Sequence, residues 1–406
     1  MKKMLFLSII LLNLACSSDN NSEPQTENPT PVNPSDALTP QNARTYMADP
    51  NATAETVALF YNLKKLSKTK TVIGQHDAFN AFYGNISGDS DIKKATGKDP
   101  GLQGLDFMFI TDKNNNGQAD NWFYQQEQKI IQDAKTAYSR GMINTFCWHL
   151  REPNNEDSFY ASDMTSAQTS TAFRGLLPGG IHHNWYKAKL DKVASVLQSL
   201  TDANGTKIPV IFRPFHEFDG SWFWWGQNFC TAEEYKAVFQ FTVNYLRDTK
   251  NVHNVLYAFS PDNSYTTATN YLSRYPGDTY VDILGMDNYG DYGLNQGING
   301  SVRANQKLTL ISNLAIEKVK IAALTETGYH VTASNSPIPN WFSSLLFDSI
   351  TTNNPQIGYV MFWNNTQNAY YVPTPGRPNL ADFVTFSQKN RLALQPNLIN
   401  IYSLPN

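Results

Sequence analysis

Cysteine is scarce in this chain, with three in 406 residues. Cys147 and Cys230 sit in or near apolar segments and Cys16 lies near the N-terminus, so no disulfide framework is expected. Charge of one sign is equally wanting. The formal net charge is −3, with no long basic or acidic run, so nucleic acid is not an expected partner. Long apolar runs are missing too. Met4–Leu14, behind Lys2 and Lys3, falls short of the about 20 residues that span a bilayer and reads as an export signal. Ala15-Cys16 followed by Ser17-Ser18-Asp19 resembles a bacterial lipoprotein processing site. Residues 1–16 are therefore expected to be a signal peptide, with Cys16 lipidated and the protein held at the outer membrane, facing surface or periplasm. Ordinary signal cleavage is the alternative.

Residues 17–40 hold almost nothing apolar and five prolines, so they are expected to form a disordered tether. What remains, 41–406, suits one large α/β barrel or two ordinary domains. Here apolar, β-prone runs alternate with amphipathic stretches. Strands are expected at 71–75, 107–111, 142–148, 208–215, 255–260, 281–286, 319–325 and 357–363, and helices at 125–140, 185–200, 231–249 and 303–318. Eight strands alternating with helices is the pattern of an α/β protein, a (β/α)8 TIM barrel with a single catalytic domain.

Each expected strand stops at a functional group: His76, Asp112, His149, His216-Glu217, Asp262, Asp287 with Tyr289, Glu326 and Trp363. In a barrel those ends converge on one face, where active sites sit. The densest motif runs from Arg213 to Gly226. It sets Glu217 at a strand end, with Phe218 and the cluster Trp222-Phe223-Trp224-Trp225 after it. Aromatic surroundings disfavour the charged carboxylate and suit it to act as a general acid. A structural ion pair with Arg213 is the plainer alternative. Glu326, three strands later in Thr325-Glu326-Thr327-Gly328, lies on roughly the opposite side of the mouth. A carboxylic acid facing a carboxylate is what glycosidic cleavage requires. His149, His216 and Tyr289 could, taken singly, be polar residues with no more than a structural role.

The run Arg213-Pro214-Phe215-His216-Glu217, continued by Gly220-Ser221-Trp222-Phe223-Trp224-Trp225-Gly226, resembles glycoside hydrolase family 26, best known for β-mannanases. Gly74-Gln75-His76-Asp77, Trp148-His149 and Asp287-Asn288-Tyr289 extend the resemblance over roughly 70–395. It implies a retaining, cofactor-free hydrolase with Glu217 as acid/base and Glu326 as nucleophile. It also implies substrate contacts at His149, His216, Trp222, Asp287, Tyr289 and Trp363, with His216 and Tyr289 able to hydrogen-bond the nucleophile. The implied partner is β-mannan or a related polysaccharide, acted on by a monomer. One departure stands out: much of the family has arginine after the last tryptophan, and here Trp363-Asn364-Asn365 occurs.

Endo cleavage, exo release of mannobiose, and action on mixed-linkage β-glucan or β-1,3-xylan all remain open, as does a non-catalytic glycan-binding lipoprotein. Asp112–Asp120 resembles the start of a calcium loop, but Phe123 stands where such loops carry a bidentate glutamate. His182-His183 with His149 matches no compact metal motif. No metal is expected.

Overall fold

The computed structural model describes residues 36–79 and 88–405. Cys16 and residues 17–35 of the expected tether lie outside the described residues. Of residues 36–40, assigned to the tether by composition, one side chain is packed. Leu38 is buried with Val57 and Phe60, and Asn42 accepts from the Thr39 amide and donates to the Ala37 carbonyl.

Eight parallel strands follow: β1 (Thr71–His76), β2 (Leu102–Asp106), β3 (Ile143–Cys147), β4 (Val210–Arg213), β5 (Val255–Phe259), β6 (Ile283–Asn288), β7 (Ile321–Thr327) and β8 (Ile357–Phe362). Each pairs in parallel with its successor, and β8 pairs with β1, closing the barrel. A two-residue strand, β9 (Leu392–Ala393), adds to β1. The expected TIM barrel is present.

The strand period of two decides what lies inside. In β4, Val210 and Phe212 pack outward with the helices, while Ile211 turns inward with Val72, Leu102, Ile143, Ile283 and Ile321 to fill the floor. The next inward residue of β4, one pleat higher, is Arg213. Two pleats beyond Val72, Leu102, Ile143 and Ile283 come His76, Asp106, Cys147 and Asp287. Apolar floor and polar mouth are thus two pleats of the same strands.

The second strand differs from expectation. It is Leu102–Asp106, and the more apolar 107–111 forms the turn after it. Phe107 packs against Phe146 and Phe212 in the layer outside the barrel, so its hydrophobicity serves the helix-facing core. Leu102–Asp106 carries Gly104 where space is short: a Cβ there would lie 2.5 Å from Met361 Sδ and 2.7 Å from His76 Nδ1. The residue ending the strand is accordingly Asp106. Asp112 sits in the following loop, where Arg151 Nε donates to its Oδ2 at 2.5 Å and the Asn114 amide to its Oδ1. Those contacts give the would-be calcium loop a local structural use.

The helices begin where side chains cap them. Asn121 accepts from the Tyr124 amide at the start of Trp122–Ser139, and Thr231 with Glu234 forms a reciprocal capping box at the start of Ala232–Asn244. The long segment after β3 is built rather than loose. It contains the capped helix Ser166–Ala172, and it bridges back through Tyr160 to Phe223.

Candidate active site

Glu217 follows β4 on a tight turn whose backbone is left-handed at both Phe215 (φ 53°) and Glu217 (φ 53°). For residues with a Cβ that conformation costs roughly 1–2 kcal/mol each, so the surroundings must impose it. The Glu217 amide donates to the Ser260 carbonyl at 2.9 Å. Tyr235 Oη–H donates to the Phe215 carbonyl, and Trp225 Nε1–H to that of His216 at 2.7 Å. Trp224 Nε1–H donates to the Leu150 carbonyl. Of the aromatic cluster, Phe223, Trp224 and Trp225 are buried supports; Trp222, 40 % exposed, reaches the cleft. Its Nε1–H donates to Glu217 Oε2 at 2.7 Å.

Burial pushes the Glu217 carboxyl well above its ordinary range, and the negative charges of Asp287, Glu326 and Asp262 push the same way. The Trp222 hydrogen bond opposes them. Arg213 makes no ion pair with Glu217, which removes the plainer reading of that glutamate.

Arg213 is instead the centre of a buried ionic cluster. Its Nη1–H donates to Asp287 Oδ2 at 2.6 Å and its Nη2–H to Glu326 Oε1. The second oxygen of Glu326 accepts from Tyr289 Oη–H at 3.0 Å. Asp287 Oδ1 accepts from Ser260 Oγ at 2.9 Å and from Thr325 Oγ1 at 2.6 Å. Burial raises the Asp287 carboxyl above its usual value, with Arg213 pulling down and Glu326 pushing up. A bulge between Met286 and Asp287 shifts the β6–β7 register so that Asp287 stands opposite Glu326. Such irregularities re-aim side chains.

Beside this cluster lies a pair of imidazoles. His149 Nδ1 is 2.6 Å from Asp106 Oδ2, and its Nε2 is 3.2 Å from His216 Nε2. Burial works against a charge on His149, but Asp106 outweighs it and holds the ring above its ordinary pKa. Burial drives His216 well below its ordinary value, aided by Arg213. His76, buried as well, falls to about 3 and stacks on Trp363 at 4.1 Å. Trp363 is half-buried.

The structure thus gathers His149, His216, Glu217, Trp222, Asp287, Tyr289, Glu326 and Trp363 at one end of the barrel. His216 departs from expectation. One atom from each of His216, Asp287 and Glu326 lies within 4.8 Å of the others, yet the oxygens of Glu326 are bonded by Arg213 and Tyr289, and His216 bonds to His149. Asp106 was not singled out from sequence, and Arg213 was named there only as a possible partner of Glu217. Asp106 was hidden by the misplaced strand. Arg213 was visible as a charge inside an apolar run, which only an anionic partner stabilises.

Comparison with known proteins agrees with this geometry. Residues 48–371 match the profile of glycosyl hydrolase family 26. The chain belongs to glycosyl hydrolase family 26. The family 26 protein GH26C from Muricauda sp. MAR_2010_75 is 54% identical, with a TM-score of 0.89 over 91% of this chain and 99% of that one. A family 26 β-mannanase from Bacteroides ovatus is 31% identical, with a TM-score of 0.77 over 87% of this chain and 98% of that one. A mannan endo-1,4-beta-mannosidase of Bifidobacterium adolescentis is 33% identical over 87% of this chain. The match spans 36% of the Bifidobacterium protein's own length.

Proposed function

We propose that this family 26 protein is a retaining endo-β-1,4-mannanase, cleaving mannan, galactomannan or glucomannan by double displacement. The observation that carries it is the pair of unlike carboxylates. Glu217, kept protonated by its surroundings, donates a proton to the departing glycosidic oxygen. Glu326, bonded and aimed by Arg213 and Tyr289, attacks the anomeric carbon to form a glycosyl-enzyme. Loss of that proton leaves Glu217 as the base that activates water for the second step. When Glu326 becomes a neutral ester, its negative charge ends on Glu217, which has given up its proton, and Arg213 remains paired with Asp287. Trp222 and Trp363 offer flat faces for pyranose rings.

The named mannanases among the relatives support β-mannan as the substrate and internal bonds as the point of attack. The test is a reducing-sugar assay on mannan, glucomannan, mixed-linkage glucan and β-1,3-xylan, with product sizing. Rapid loss of mannan and glucomannan chain length, with weak action on mixed-linkage glucan and β-1,3-xylan, is expected. Release of mannobiose alone, or preference for another polymer, would refute the reading.

For location, the Cys16 motif supports export and a lipid anchor at the membrane. Wild-type protein should fractionate with membranes, and Cys16→Ala should release active soluble enzyme; wild type found wholly soluble would contradict this.

A further inference from the structure

The wall formed by the ends of β7 and β8 carries two aromatic residues that the chemistry above leaves unused. His330 and Tyr371 stack with ring centroids 4.8 Å apart and 12° between planes. Tyr371 also meets Tyr289, the residue that bonds Glu326, edge to face at 6.1 Å. Tyr371 is half-buried and His330 exposed, so the pair runs from beside the nucleophile out to the lip of the cleft.

Its placement is built rather than incidental. Gly328, two residues beyond Glu326, has φ 149°, and a Cβ there would come within 2.3 Å of the Tyr371 ring, so only glycine admits the ring at that point. Asn365 Oδ1 accepts from the amides of Tyr371 and Val372, and its Nδ2–H donates to the Val372 carbonyl. An antiparallel bridge between Val331 and Tyr370 laces the two loops together, one residue from each aromatic. Three separate devices thus fix one phenol. Among the described residues that phenol has no hydrogen-bond partner. It nonetheless lies near enough to Glu326 and Glu217 for both charges, after burial, to raise its pKa to about 12. A rigidly held, neutral hydroxyl facing the cleft, with a stacked imidazole beside it, matches an uncharged, hydroxyl-rich ligand.

The geometry points to Tyr371 and His330 as a substrate-binding pair that holds the sugar unit adjoining the one attacked, on the β7–β8 side of the cleft. Tyr371 Oη bonds a hydroxyl of that sugar, and the edge of the stacked pair lines its apolar face. This assignment rests on the glycosidase reading and adds to it a determinant of which bond is cut.

The experiment is steady-state kinetics on mannotetraose and mannopentaose, with the cut bond located by ¹⁸O incorporation, for the parent enzyme, Tyr371→Phe and His330→Ala. Tyr371→Phe keeps the ring and its packing, and His330 is exposed, so both variants should fold. Loss of one neutral hydrogen bond predicts a KM about 3- to 10-fold higher in Tyr371→Phe, with kcat within about a factor of two. The preferred bond in mannopentaose should shift in both variants. An unchanged KM and cleavage pattern in both overturns the proposal, and so does a fall in kcat at constant KM. Failure of the parent enzyme to cleave either oligosaccharide would strike the mannanase reading, whereas cleavage by the parent with the pattern unmoved in the variants strikes this proposal alone.

Discussion

The surroundings of Glu217 and Glu326 differ in every physical respect. Glu326 is 3 % exposed and lies inside an ionic cluster, with a guanidinium on one oxygen and a phenol on the other. Glu217 sits on a left-handed turn framed by buried aromatics and, among the described residues, its carboxyl is bonded by one indole N–H and no cation. Two side chains of one chemistry are therefore placed in unlike surroundings, Glu217 pushed toward its protonated form by burial and Glu326 paired with a cation, which is how a pair of carboxyls divides acid from nucleophile. The difference comes from the strand pleat. Arg213 points inward from β4 toward β6 and β7, so its charge serves the far side of the barrel rather than the glutamate four residues after it.

The contrast is broken most completely by removing each carboxylate. Glu326→Ala should lower turnover at least about 10⁴-fold on every substrate, because no covalent intermediate forms. Glu217→Ala should cost about 10²–10⁴-fold on mannan yet largely spare glycosyl-enzyme formation from an aryl glycoside with a good leaving group. Burst kinetics with a dinitrophenyl glycoside separates the two, and equal losses on both substrates would show the roles misassigned.

Next in size is the loss of the cation. Arg213→Met leaves two buried carboxylates, on Asp287 and Glu326, without their counter-charge and should destabilise the barrel by about 3–5 kcal/mol in urea unfolding. A change below about 1 kcal/mol would mean the cluster is not ionised as described. Tyr289→Phe removes one bond to Glu326 and should lower kcat about 10-fold while stability holds. A loss of stability with kcat intact would make Tyr289 a packing residue.

The smallest effect sharpens the acid side. The acid must be protonated, so activity should fall as pH rises through the pKa of Glu217. The Trp222 hydrogen bond favours the carboxylate and lowers that pKa. Trp222→Phe should therefore move the alkaline limb of kcat to higher pH, by less than about one unit. A shift to lower pH would contradict the role given to the indole.

Most of this site was legible because a barrel strand writes its function at its end. β4 and β7 were found from apolar runs that stop at Glu217 and Glu326, and the family resemblance passes through both. β2 was not, and the reason is physical. Leu102–Asp106 holds Gln103, Gly104 and Asp106, whose burial depends on barrel neighbours far away in sequence, whereas 107–111 is apolar for the sake of the outer layer. A hydrophobic run reports burial without saying on which side of the sheet. The same limit hid the partners of Arg213 and His216. Their types were read correctly, but the bonds from Arg213 to Asp287 and Glu326, and from His216 to His149, follow from pleat and register that no local pattern records.

The central claim is that Glu326 forms a bond to the sugar, and the anomeric configuration of the first product tests it most directly. Double displacement at a β-linked mannoside gives the β-anomer first, whereas a single displacement by water gives the α-anomer. Proton NMR of manno-oligosaccharide hydrolysis, begun within minutes of mixing, reads both signals before mutarotation mixes them. Early growth of the β-anomer signal is the predicted result. Early growth of the α-anomer would contradict the nucleophilic role of Glu326 and the division of labour built on it.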